Sequence, residues 1–157
     1  MVSLTIKQGD AETNVISIYA PTEDTPRRQF FNSLQNYPIT TQQTVVAGDF
    51  NCIANLNLDK DGGNPRRGLA GHKELQQWIS SLNLEDMWRA ENPNIKEYTW
   101  RNTDHTIRTR IDRIYTPTNL KNQTTTKTRN TCTQEPLAQG NDLRMQIFSF
   151  SPLFKKQ

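Results

Sequence analysis

Two cysteines in the whole chain, Cys52 and Cys132, exclude a disulfide framework. No secretory signal is recognisable after Met1, so a reducing compartment, nuclear or cytoplasmic, is expected. Apolar residues are also scarce, at 33% of the sequence with a mean hydropathy of -0.82. The longest apolar runs are far too short to cross a membrane. What remains is one domain's worth of chain, or part of a larger one, with a thin core.

Charge is distributed unevenly. Residues 1–60 carry four basic and six acidic side chains, whereas residues 61–157 carry fifteen and ten. A basic second part suits a partner that bears phosphates, although a solvated basic face would look the same.

Period-2 patterning places strands at Val2–Lys7 and Asn14–Ala20, and another at Val45–Asp49. A helix is expected over "TPRRQFFNSLQNY", with Thr25 as N-cap, Pro26 first in the helix, and Phe30, Leu34 and Tyr37 as its buried stripe. A second helix, "HKELQQWISSL", puts Leu75, Trp78, Ile79 and Leu82 on one face. "LEDMWRAENPN" reads as a short helix closed by Pro93, and Tyr98–Asn102 and Thr109–Tyr115 read as paired strands. Between the Val45–Asp49 strand and the second helix, "NLNLDKDGGNPRRGLAG" is a long polar loop of the kind that often carries function. Residues 118–135 are polar and rich in Thr and Asn, and are expected to be a surface strand or disordered.

The most pointed stretch is "TVVAGDFN". Alternate residues of a strand share a face, so Asp49 and Asn51 lie together while Phe50 turns into the core. The pair offers an acceptor and a donor to a ligand. The plainer reading is an Asx turn that ends the strand.

Five stretches in order, "IYAPT", "GDFN", "LNLEDMWR", "YTW" and "RIDRIY", resemble the endonuclease/exonuclease/phosphatase superfamily. The likeness is specifically to the apurinic-type endonuclease domain of LINE-like retrotransposons, and runs from about Val2 to about Met145. It implies an α/β (α+β) fold, a partial four-layer sandwich with two sheets flanked by helices, over residues 1–150, with 151–157 as a tail. It also implies Mg²⁺-dependent hydrolysis of DNA, no small-molecule cofactor, and a reverse transcriptase domain of the same element as a companion. Carried over by position, Tyr19 contacts the scissile phosphate, Asp49 orients or deprotonates water, Asn51 donates to the developing charge, and Asp112 orients a histidine. For Tyr19 the alternative is an ordinary strand aromatic; for Asp112 it is a surface ion pair with Arg110 or Arg113. Trp100 resembles the family's aromatic near the DNA, while Trp78 and Trp88 read as core. Arg66, Arg67, Arg101 and Arg110 are candidate phosphate contacts.

Two departures follow from the same resemblance. The family pattern starts upstream of "VSLTIK" with strands that carry an Asn and a metal-binding Glu, and Glu12 is no substitute; exposed sheet edges are then expected. The family also closes on Ser-Asp-His, where this chain has "NDLRM": Asp142 keeps the acid, on the metal side, but Leu143 occupies the histidine position. "TDH" at Thr103–His105 lies at the wrong point in the chain to replace it, so His105 is read as a loop residue and His72 as the start of a helix. The expected function is therefore a metal-dependent DNA endonuclease domain with impaired activity. The alternatives are a nucleic-acid-binding fragment that does not cut and a non-functional retroelement remnant.

Overall fold

The computed structural model describes residues 1–39, 43–64, 66–118, 127–129 and 146–148. In chain order the first elements are β1 (Val2–Gln8), β2 (Ala11–Tyr19), α1 (Asp24–Leu34), β3 (Gln43–Asp49), β4 (Lys60–Asp61) and α2 (His72–Ser81). Then come β5 (Leu84–Asp86), α3 (Met87–Glu91), β6 (Trp100–Arg101), β7 (Arg108–Thr109), β8 (Asp112–Pro117), β9 (Lys127–Arg129) and β10 (Gln146–Phe148).

Five strands form the main sheet in the order β1-β2-β3-β8-β5. β1 and β2 are an antiparallel hairpin, as the period-2 pattern predicts. β2 and β3 are parallel. A parallel pair needs a crossover, and α1 supplies it. One face of the sheet presents Ile16, Ile18, Val46 and Tyr115 to Phe31 and Leu34 of α1 and to Leu75, Trp78 and Ile79 of α2. At about 1.5–3 kcal/mol for each buried large apolar side chain, this single layer is the main source of stability. Among the described residues β1 is the terminal strand of this sheet, and its Val2, Leu4 and Ile6 are exposed. A smaller sheet, β4-β7-β6, carries the long polar loop and the 102–107 hairpin turn.

Four expectations need correction. α1 begins at Asp24 after Glu23, without a side-chain cap, so Thr25 is inside the helix. Pro26 is tolerated in the first turn because the N–H groups there have no intrahelical acceptor. The buried stripe of α1 is Arg27, Phe31 and Leu34, and Phe30 and Tyr37 are only partly buried. Its rotation follows from Arg27, which donates to the carbonyls of Ala70 (2.7 Å) and Thr22 (2.7 Å) and pairs with Asp24 (2.5 Å). "LED" is a short strand before α3, because Asp86 ends β5 and then caps α3, accepting from the Arg89 N–H at 3.1 Å. Finally, "RTRIDRIY" is two strands in two sheets. The break falls at Arg110, whose backbone N–H leaves the ladder to donate to the Asp59 carbonyl (2.9 Å).

β9 and β10 pair in parallel as a separate two-stranded sheet. Residues 119–126, 130–145 and 149–157, including Asp142 and Leu143, lie outside the described residues.

Candidate active site

The registers of three adjacent strands bring the sequence-derived acids together. Tyr19 of β2 is the partner of Asp49 of β3, and Asp49 is in turn the partner of Asp112 of β8. Partner residues in neighbouring strands project to the same face. Tyr19, Asp49 and Asp112 thus form one row across the sheet, at the carboxyl end of the parallel β2/β3 pair, where ligands of open α/β sheets generally bind. Tyr19 is 61% exposed, so it is not the packed strand aromatic of the plainer reading.

Gly48 explains the first letter of "GDFN". Its φ is +144°, and a Cβ there would lie 1.9 Å from the Ile18 carbonyl oxygen. No side chain fits while β3 keeps its place beside β2. The next residues form a tight, fully anchored turn. Phe50 donates its N–H to the Ile111 carbonyl (2.9 Å) and buries its ring against Phe31 and Tyr115. Asn51 adopts a left-handed φ of 48°, its N–H donates to Asp49 Oδ1 (2.8 Å), and its side-chain amide donates to the Ala20 carbonyl (2.7 Å). The Asx turn of the plainer reading is present: it ends the strand and sets the two polar groups side by side. A carboxamide has a second N–H to offer.

Among the described residues Asp112 makes no surface ion pair with Arg110 or Arg113. Its backbone N–H and that of Ile111 both donate to Thr99 Oγ1 (3.1 Å each). Burial raises the Asp112 carboxyl above its ordinary pKa, opposed by its hydrogen bond with Thr99 and by the charge of Arg113. Thr99 is a site residue the sequence reading missed, although "YTW" contained it.

The candidate nucleic-acid contacts divide. Arg66 and Arg67 are exposed in the long loop, and Arg101 is exposed on β6. The loop is organised by Lys60, whose ammonium donates to the carbonyls of Asn64 and Arg67. Trp100 is half-buried on β6, while Trp78 and Trp88 are in the core as expected. Arg110 must be withdrawn as a phosphate contact: it is 2% exposed, paired with Asp59 (2.9 Å) and Asp86 (2.5 Å), and stacked over Trp88. Asp59, at 0% exposure, also binds Arg89 (2.6 Å) and the Asn55 N–H (2.9 Å). Burial works to raise its pKa, but the hydrogen bonds of Arg110 and Arg89 and the charges of Arg110 and Arg113 prevail and hold it low. This network ties the polar loop to β5 and to the β7–β8 junction. His105 sits exposed in the β6–β7 turn, and His72 opens α2, both as expected.

Among the described residues no group of three or more His, Cys, Asp or Glu could hold a metal ion; the row supplies two carboxylates, Asp49 and Asp112.

Comparison with known proteins gives three kinds of match. The profile of the Endonuclease/Exonuclease/phosphatase family matches residues 3–131. The Transposon TX1 uncharacterized 149 kDa protein of Xenopus laevis is 31% identical over 134 residues, which is 82% of this chain and 10% of that protein. Among solved structures, the 3'-5' exonuclease NExo of Neisseria meningitidis superposes with a TM-score of 0.58 at 16% identity, covering 77% of this chain and 54% of that one. The Neisseria 3' phosphatase NExo bound to a product DNA hairpin gives 0.57 at the same identity and coverage. The mixed α/β architecture, with its five-stranded sheet and flanking helices, is the fold of these neighbours. The chain thus spans about a tenth of the curated relative and about half of the solved chains.

Proposed function

Because the chain belongs to the endonuclease/exonuclease/phosphatase family, we propose that it is part of a transposon-borne DNA endonuclease domain that hydrolyses a phosphodiester by direct attack of water. The observation that carries this reading is the Tyr19–Asp49–Asp112 row, with the Asn51 amide at the same strand end. Water needs a base, and Asp49 takes its proton as the new O–P bond forms. The developing charge on the equatorial oxygens needs donors, which Asn51 and the exposed Tyr19 hydroxyl provide. The bond to the leaving sugar oxygen then breaks, and that oxygen takes its proton from solvent water.

The family is generally dependent on a divalent metal. Mg²⁺ commonly takes one or two carboxylates from a protein and completes its shell with water and phosphate oxygens. The donor chemistry of Asp49 and Asp112 fits that demand, with Asp142 as a further ligand by the resemblance. Bound there, the ion would supply charge neutralisation at the phosphate. By the same resemblance Leu143 occupies the position of the histidine that Asp112 would orient. Leucine neither donates nor accepts, so turnover in this chain should be slow. The partner is DNA, gripped without sequence choice by Arg66, Arg67 and Arg101 beside Trp100, and a reverse transcriptase domain is the companion to look for in the same polypeptide.

The test is nicking of supercoiled plasmid in Mg²⁺ with protein in excess. Slow nicking, reduced about 10²-fold or more by Asp49→Ala, supports the reading. Nicking that Asp49→Ala leaves unchanged contradicts it. DNA binding with no nicking at all would favour the non-cutting fragment instead, for which the exposed arginines are the supporting observation.

A further inference from the structure

We infer that Arg113, which no resemblance singles out, is the positioning residue of this site: it fixes the Phe50–Cys52 turn from beneath and so sets the direction of the Asn51 amide. The inference rests on the phosphodiesterase reading above.

Arg113 follows Asp112 on β8, and its strand partner is Gly48. Asp112 points to the site and Arg113 to the opposite face, under the turn. Arg113 is 1% exposed, and none of the ion pairs among the described residues includes it. It donates to the Cys52 carbonyl and to the Tyr115 hydroxyl (3.0 Å), and its guanidinium lies 5.6 Å from the centre of the Phe50 ring. Tyr115 meets the other side of the problem, contacting Phe50 edge-on at 5.3 Å. Arg113 and Tyr115 therefore hold the residue before Asn51 by its ring and the residue after it by its carbonyl.

Such an arrangement has a cost. A cation taken out of water without a carboxylate in ion-pair contact is expensive, and an apolar side chain of similar length is often tolerated as well or better. Stability alone does not account for an arginine here. Orientation does: Asn51 is a non-glycine residue in the left-handed region, a conformation that persists only when its neighbours over-determine it. A lysine would deliver the charge but not the fork that reaches two acceptors at once.

The experiment compares wild type, Arg113→Met, Arg113→Lys and Phe50→Leu. ¹⁵N-asparagine labelling reports the Asn51 backbone and side-chain amides, with Asn102 in the β6–β7 hairpin as an internal reference. Plasmid nicking is measured on the same samples. Arg113→Met should stay folded, with the Asn102 signals unmoved, while the Asn51 amides shift and exchange at least tenfold faster. Nicking should fall about 10²-fold, as for loss of one transition-state donor, with little change in the KM for DNA. Arg113→Lys should rescue neither readout. If Arg113→Met does not fold, Phe50→Leu carries the test, because it removes the ring and keeps the cation; it should disturb Asn51 in the same way. Wild-type Asn51 signals in a folded Arg113→Met or in Phe50→Leu would overturn the inference, as would full rescue by lysine. If wild type does not nick, the phosphodiesterase reading fails, and the Asn51 signals still decide whether Arg113 sets the turn.

Discussion

Asp59 is the residue whose loss should be felt most widely. Its carboxylate has no exposed surface and receives Arg89, Arg110 and the Asn55 N–H. Asp59→Ala leaves Arg110 with Asp86 alone and strands the Arg89 head group, which keeps only the carbonyls of Asn92 and Ile95. Breaking a buried pair from one side costs about 3–5 kcal/mol. For a domain of this size each kcal/mol shifts Tm by about 2–4 °C, so a fall of about 6–20 °C is expected. Urea unfolding followed by far-UV circular dichroism measures it. The exposed Arg108–Asp61 pair is the internal control, since both partners are about half exposed, and Asp61→Ala should cost under about 1 kcal/mol. The depressed Asp59 pKa adds a sign. Its contribution is present above the ordinary carboxylate range and is lost as pH falls through the folded-state value, so the penalty of Asp59→Ala should shrink in acid. A cost below about 1 kcal/mol at neutral pH, or equal costs for Asp59→Ala and Asp61→Ala, would refute this reasoning.

Three further outcomes are expected. Asp112 has a raised pKa, so its ionisation destabilises the fold as pH rises through the folded-state value; Asp112→Asn should raise Tm at pH 7, the gain vanishing below the ordinary carboxylate range, while nicking falls. A thermal scan at several pH values checks this. Gly48→Ala combines a forbidden φ with a clash against Ile18 and should cost about 3 kcal/mol or more, read by urea unfolding. Arg66→Ala with Arg67→Ala should weaken DNA binding uniformly across sequences and lower the slope of log affinity against log salt by about 2, measured by fluorescence anisotropy.

Much of the site was legible because short-range rules govern it. Period 2 placed Asp49 on the open face of β3, the Asx-type turn rather than strand alternation brings Asn51 beside it, and the α2 face of Leu75, Trp78 and Ile79 follows from helical spacing alone. The rest depended on partners distant in sequence. The α1 stripe rotated by one residue because Arg27, polar and thus read as exposed, found carbonyls at 21, 22 and 70 to bury against. Arg110 looked like a surface cation until Asp59 and Asp86, 51 and 24 residues away, enclosed it. Asp59 itself sat in a loop whose polarity signalled solvent. A buried arginine often takes an acid as partner, but sequence does not reveal which arginines are buried. Thr99 was missed because its role is to accept from backbone N–H groups, which leaves no signature in residue type.

The central claim is that the Tyr19–Asp49–Asn51–Asp112 strand end receives a DNA phosphate. The most direct measurement is amide chemical-shift mapping of the ¹⁵N-labelled chain, titrated in Mg²⁺ with a short duplex whose linkages resist hydrolysis. The account predicts perturbations centred on Tyr19, Asn51 and Asp112, joined by Arg66, Arg67 and Arg101, with the signals of Asn51 lost or shifted first. Shifts confined to the basic loop and hairpin, with the strand end silent at saturation, would contradict it.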